Sequence, residues 1–181
     1  MREISLHLMD IIQNSIDAGA SLIIINMDIC TLNNRLMLSV EDNGCGIEPK
    51  MIEKIKDPFV TSRKTRKVGL GISLFEAACI RCGGNLTIDS LKNLGTKVTA
   101  VMEYNHIDRA PIGRIEDTIV SFIMVSGIEI VYKHRFNLNE FIFDSRKIKE
   151  IVGDDIMNID IINWIKEYIA EGIERTGSER F

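Results

Sequence analysis

Asp10 and Asn14 stand four residues apart in a segment whose apolar residues recur with a helical period, so both side chains lie on one face of the predicted helix. His7 precedes Asp10 by three residues and shares that face. A carboxylate and an amide oxygen in a row suit a magnesium ion and an activated water. Considered alone, these residues also fit the solvated polar face of an ordinary amphipathic helix.

A second group of candidate ligands follows a predicted strand, in the sequence DNGCG at 42–46. The Asp42 carboxylate, placed at the end of that strand, can accept a hydrogen bond from an exocyclic amine such as that of adenine. Gly44 and Gly46 carry no side chain and would let a flat base approach the backbone. For this segment alone, the alternative is a glycine turn between a strand and a helix.

The third group is the sequence VGLG at 68–71, which opens another predicted helix. The free N–H groups and positive dipole at a helix N-terminus bind phosphate. Basic side chains that could neutralise phosphates crowd the preceding loop: Arg63, Lys64, Arg66 and Lys67. The alternative is a flexible basic loop. Because the three groups occur together and in this order, they predict one compact site for ATP and Mg²⁺.

Helices and strands alternate along the first hundred residues. The predicted elements are helices at 3–18, 48–55 and 69–81, and strands at 21–29, 35–40, 85–89 and 97–103. A basic, irregular segment at 57–68 precedes the third helix. This alternation predicts an α/β fold in which helices pack on one face of a mixed sheet, as a two-layer sandwich.

The remainder of the chain predicts a smaller α+β unit. A linker at 105–113 is followed by a helix at 115–125, a strand at 128–136, a returning strand at 140–143 and a helix at 146–152. A last helix is striped by Ile162, Ile165, Ile169 and Ile173, and the tail at 176–181 is predicted to be disordered. The predicted domains are therefore 1–104 and 114–175, and we expect the second to contact a protein partner or a second copy of the chain.

The overall composition excludes several classes of protein. The chain has 181 residues, a net charge of −4 and 45% hydrophobic residues, which argues against a broad nucleic-acid-binding face. No apolar segment is long enough to cross a bilayer and the N-terminus lacks a signal-peptide pattern, so we expect a cytoplasmic protein without membrane contact. Cys79 and Cys82 form a lone CxxC, which is expected to contribute helix-packing thiols rather than a zinc site.

Five motifs, spanning about residues 3–104, resemble those of the GHKL superfamily, which includes gyrase, the ninety-kilodalton heat-shock chaperones, histidine kinases and MutL. HLMDIIQNSIDAGA at 7–20 resembles its N-box, and EDNGCGI at 41–47 its first glycine box. DPFVTSRK at 57–64 is similar to the F-box and the start of the ATP lid of histidine kinases. The segment at 68–90, from VGLG to TIDS, resembles the second glycine box, and GTKVTAVM at 95–102 the closing Gly-Thr strand. The resemblance implies a Bergerat-type sandwich.

The resemblance also implies a role for each matching residue. Asn14 would coordinate magnesium, Asp42 would bind the adenine amine, and Thr96 would assist Asp42 through a water. Gly44 and Gly46 would line the base pocket, Phe59 would pack near the lid, and Gly69 and Gly71 would hold the phosphate loop. Further nucleotide-binding candidates are Asp17, Ile47, Lys64, Lys67 and Leu70.

Two departures from the family pattern leave the chemistry open. Lys67 stands where histidine kinases usually have a glycine, and Asp10 stands where hydrolysing members carry a glutamate base. Asp10 keeps the carboxylate but is one methylene shorter. Three functions follow: a stand-alone kinase that phosphorylates a separate protein, a slow ATPase switch with Asp10 as general base, or a nucleotide-sensing module without turnover. None of the three histidines is expected to accept phosphate.

Overall fold

A single six-stranded sheet forms the centre of the part of the chain that the computed structural model describes, which is residues 3–48, 50–51, 70–125 and 128–178. Strands β1 to β6 are Leu22–Cys30, Arg35–Asp42, Asn85–Leu91, Gly95–Glu103, Glu129–Phe136 and Asn139–Asp144. Helices α1 to α5 are Ile4–Asp17, Leu70–Arg81, Ile115–Ile123, Ser145–Val152 and Ile159–Arg175, and a 3₁₀ helix spans Gly153–Met157. The predicted segments at 52–55 and 57–68 lie outside the described residues.

The strand order is β3-β4-β2-β1-β5-β6. β1 and β5 are parallel, whereas the other neighbouring pairs are antiparallel, so the sheet is mixed. The predicted α/β sandwich on a mixed sheet is therefore confirmed. The register places Asp42, at the end of β2, opposite Thr96 near the start of β4.

The core lies between the sheet and the helices. On β1, alternate residues Ile23, Ile25, Met27 and Ile29 are at most 1% exposed, because successive side chains of a strand point to opposite faces. α1 covers this face with apolar residues at helical spacing, among them Leu8 and Ile12. The same period leaves Asp10 and Asn14 partly accessible, so burying one face of α1 orients its polar residues.

β5 extends the sheet beyond β1, with Ile25 opposite Tyr132. The C-terminal segment, predicted as a separate unit, thus shares both sheet and core with the first part of the chain, and Ile119 and Ile165 are fully buried in that core. The tail from 176 was predicted to be disordered, and the structure describes it as far as Ser178. Thr176 and Ser178 are buried, because the tail packs back beside Ile173 after α5 ends.

Candidate functional site

Within the described residues, the Asp42 carboxylate is held by three donors from three parts of the chain. Oδ1 accepts the N–H of Gly44 at 2.9 Å and the N–H of Thr96 at 3.3 Å. Oδ2 accepts the hydroxyl of Ser15 at 2.7 Å. A carboxylate has about four acceptor positions, so three donors orient the group and leave room for one more hydrogen bond.

The loop after Asp42 is tied to the ends of α1 and β1. The side-chain oxygen of Asn43 accepts the N–H groups of Ser21 and Leu22, each at 2.9 Å. The N–H of Cys45 donates to the Ala18 carbonyl at 2.9 Å. These bonds bring the loop against the C-terminal end of the helix that carries Asp10 and Asn14.

Close packing explains the glycines of this loop. A Cβ on Gly44 would lie 2.9 Å from the Ala18 carbonyl oxygen and 3.0 Å from Asp42 Oδ1. Gly46 has a φ of +64°, and a Cβ there would lie 2.0 Å from the Leu91 carbonyl oxygen. A side chain at Gly44 would displace the backbone around Asp42, and one at Gly46 would displace the β3–β4 turn at Leu91.

Thr96 reaches Asp42 through its backbone N–H, while its side chain bonds elsewhere. Its hydroxyl lies 2.8 Å from the Ser90 hydroxyl, which also accepts the N–H of Ile47 at 2.8 Å and donates to the Gly95 carbonyl at 2.9 Å. Ser90 therefore joins the glycine loop to the β3–β4 hairpin. The direct backbone bond from Thr96 is a contact that the resemblance did not predict.

Asp10 packs against the first turn of α2. A Cβ on Gly71 would lie 3.1 Å from both Cβ and Oδ2 of Asp10, so the glycine allows the carboxylate to approach the helix N-terminus. Since that end of a helix carries positive partial charge, the Asp10 carboxylate lies beside a position that is suited to an anion. Asn14 is half-buried one turn further along α1, and the exposed Asp17 accepts a hydrogen bond from Gln13 at 2.9 Å.

Apart from Asn14 and Asp17, which lie on α1, the described candidates with described side chains or contacts form two clusters, and α1 contributes a contact to each. Asp42, Gly44, Gly46, Ile47 and Thr96 gather at the ends of β2 and β4, and Asp10 meets Gly71 at the start of α2. Four candidates, Phe59, Lys64, Lys67 and Gly69, lie outside the described residues, and Leu70 is described only as the first residue of α2.

Sequence reasoning missed Ser15 and Ser90. Ser15 directly follows Asn14 in the N-box, and its position beside the predicted metal ligand was a usable signal. Ser90 pairs with Thr96 in the β3–β4 ladder. Its role was recoverable only with the correct hairpin, because the predicted strands stopped at 89 and began again at 97.

Two of the three histidines, His7 and His134, are buried. His7 stacks on Phe75 with ring centroids 4.5 Å apart, and burial lowers the pKa of His7 to about 4. His134 Nδ1 bonds the hydroxyl of Tyr132 at 2.7 Å, and burial lowers the pKa of His134 to about 4 as well. Both rings are therefore neutral at pH 7 and shielded from a phosphoryl donor.

The cysteines of the CxxC are also buried, and burial raises the pKa of the Cys79 thiol to about 12, so it stays protonated. Among the described residues, no three His, Cys, Asp or Glu side chains cluster as a metal site. Nor does any helix of the described ranges combine the length and apolar character needed to cross a membrane.

A profile of the family described as "Histidine kinase-, DNA gyrase B-, and HSP90-like ATPase" matches residues 2–106. The chain belongs to this family, which confirms the GHKL resemblance and makes its first part an ATP-binding domain of the histidine-kinase-like type.

Curated relatives include sensor kinases. The chain is 37% identical over 68 residues to the signal transduction histidine-protein kinase AtoS of Escherichia coli (strain K12), covering 38% of this chain and 11% of AtoS. It is 33% identical over 84 residues to the sensor histidine kinase WalK of Bacillus subtilis (strain 168), covering 44% of this chain and 14% of WalK. The match thus spans a small part of each relative.

A solved structure extends the likeness of fold beyond the family match. The N-terminal domain of a DNA repair protein superposes with a TM-score of 0.57 and 15% identity, covering 87% of this chain and 59% of that domain. At this identity the likeness concerns the fold alone.

Proposed function

We propose that this protein binds Mg-ATP at the Asp42 cluster and either phosphorylates a separate protein partner or signals to it through the bound nucleotide. The observation that carries the proposal is the Asp42 carboxylate, which three donors orient while one acceptor position remains. An exocyclic adenine amine would donate to that position. Gly44 and Gly46 would let the base approach the backbone, with Ile47 beside it.

The phosphates would lie at the N-terminus of α2, where Gly71 is the second residue of the helix. Gly69, Lys64 and Lys67 precede this helix in the sequence, and we propose that they also bind the phosphates. The Asn14 side-chain oxygen is the hard donor type that Mg²⁺ prefers, and Asp10 adds a carboxylate one turn before it. Gly71 supports this arrangement, because a Cβ there would fill the space beside Asp10. Magnesium would neutralise charge on the phosphates.

The acceptor of the phosphoryl group decides among the three functions. A kinase transfers it to a protein hydroxyl or imidazole, an ATPase switch transfers it to water, and a sensing module retains it. In the first two, a base must accept a proton from the attacking group. Asp10 is suited to that role because its carboxylate lies against the helix end that would hold the phosphates.

We expect Asp10→Asn to lower phosphoryl transfer by about 10²–10⁴-fold, because the amide cannot accept the proton. The purified protein is incubated with γ-labelled ATP and magnesium, and both free phosphate and label on protein are followed. Label on protein identifies a kinase, and free phosphate identifies an ATPase switch. Bound ATP with neither product identifies either a sensing module or a kinase whose protein substrate is absent, and adding candidate protein partners to the incubation separates the two. Omitting magnesium should abolish either product.

The matched control is Asp155→Asn, the same substitution at an exposed residue of the 3₁₀ helix. It should leave turnover unchanged. Equal turnover in Asp10→Asn and wild type would exclude Asp10 as the base.

The C-terminal part is proposed to contact a protein partner or a second copy of the chain. Trp164 stacks on Tyr168 at 5.4 Å on α5, and the two side chains are 50% and 38% exposed. If a second copy binds there, sedimentation velocity should show a dimer that Trp164→Glu converts to a monomer, because the charge would be buried against an apolar surface. A wild-type monomer at every concentration would exclude the second copy.

A cytoplasmic location is likewise a proposal, based on the sequence.

A further inference from the structure

Ser15 links α1 to the base-binding end of the sheet. It is 3% exposed, and its hydroxyl lies 2.7 Å from Asp42 Oδ2, a bond between residues 27 positions apart. The Ile11 carbonyl lies further from the same hydroxyl, at 3.3 Å. A helical serine commonly bonds the carbonyl four residues earlier. Here the shorter bond, to a charged acceptor, takes the single hydrogen.

The consequence for Asp42 is a carboxylate that can only accept. Gly44 and Thr96 donate to Oδ1, and Ser15 donates to Oδ2. The remaining acceptor position therefore suits an amine and repels a carbonyl oxygen.

We propose that Ser15 is a positioning residue that sets base selectivity, by orienting Asp42 to accept a 6-amino purine and to reject a 6-oxo purine. The inference rests on the proposed ATP site. Without the Ser15 hydroxyl, Oδ2 loses a donor, and the carboxylate can rotate away from the orientation in which it accepts the 6-amino group. Discrimination between the two purines falls as a result.

The test compares the affinities of ATP and inosine triphosphate, with magnesium, by calorimetric titration. Wild type should prefer ATP, and Ser15→Ala should lower that preference by about tenfold, since a hydrogen bond to a charged group is lost. Ser15→Cys keeps the side-chain size with a weaker donor and should act in the same direction. Ser121→Ala is the matched control, because the Ser121 hydroxyl bonds the Thr118 carbonyl within α3, and it should leave the preference unchanged.

A purely structural role would weaken both nucleotides equally and lower Tm without changing their ratio. An unchanged ratio in both Ser15 variants would therefore overturn the assignment while leaving the ATP site intact. Wild type that binds neither nucleotide would overturn the proposed function and this inference together.

Discussion

Asp42→Asn is expected to weaken Mg-ATP binding by about 10- to 100-fold, corresponding to about 1–3 kcal/mol. The asparagine oxygen would stay with the N–H groups of Gly44 and Thr96, which bond Oδ1 in the native protein. The amide NH₂ would then occupy the Oδ2 position. There it faces the incoming adenine amine, donor against donor, so the bond is lost and a repulsion replaces it.

Calorimetric titration of Mg-ATP measures this effect, and a parallel titration with adenosine isolates the contribution of the base. Asp89→Asn is the matched control, since Asp89 is an exposed residue of the neighbouring strand β3. Its affinity for ATP should equal that of wild type. Unchanged ATP affinity in Asp42→Asn would refute the pocket assignment.

Gly95→Ala is expected to lower the free energy of unfolding by about 3 kcal/mol or more, because two penalties add. Gly95 has a φ of +111°, which L residues rarely adopt, and a Cβ there would lie 1.9 Å from the Asp42 carbonyl oxygen. The backbone of β2 or β4 would have to move. Since Asp42 and Thr96 lie on those strands, ATP binding should weaken as well.

Gly19→Ala separates the two penalties. Gly19 has a φ of +77°, but a Cβ there would meet nothing within 4 Å. It ends α1 in a Schellman arrangement, in which the Ala20 N–H bonds the Ser15 carbonyl. Gly19→Ala should therefore lower the free energy of unfolding by only about 1 kcal/mol. Urea unfolding of both variants gives the comparison, and equal losses would show that the contact with Asp42 is not the reason for the glycine at 95.

The local pattern of residues was sufficient to predict most helices and strands and to identify the family. The spacing of Ile4, Leu8 and Ile12 predicted α1, and alternation predicted β5, because burial of one face imposes a period of about 3.6 on a helix and 2 on a strand. The predicted helices carried Asp10 and Gly71, as α1 and α2 do, whereas Asp42 was predicted to follow a strand that in the structure extends to include it. The end of β3 and the start of β4, around residues 91–95, were predicted less accurately, because turn residues there continue the ladder of the hairpin.

The sequence by itself determined which face of each element is buried, the order of the motifs and the family. Only the tertiary structure decided which elements are neighbours: β5 beside β1, Asp10 against Gly71, and Ser15 bonded to Asp42. The physical reason is that periodicity depends on a residue's immediate neighbours along the chain. Contacts between distant residues depend on the packing of the whole sheet and its helices, which no single segment encodes.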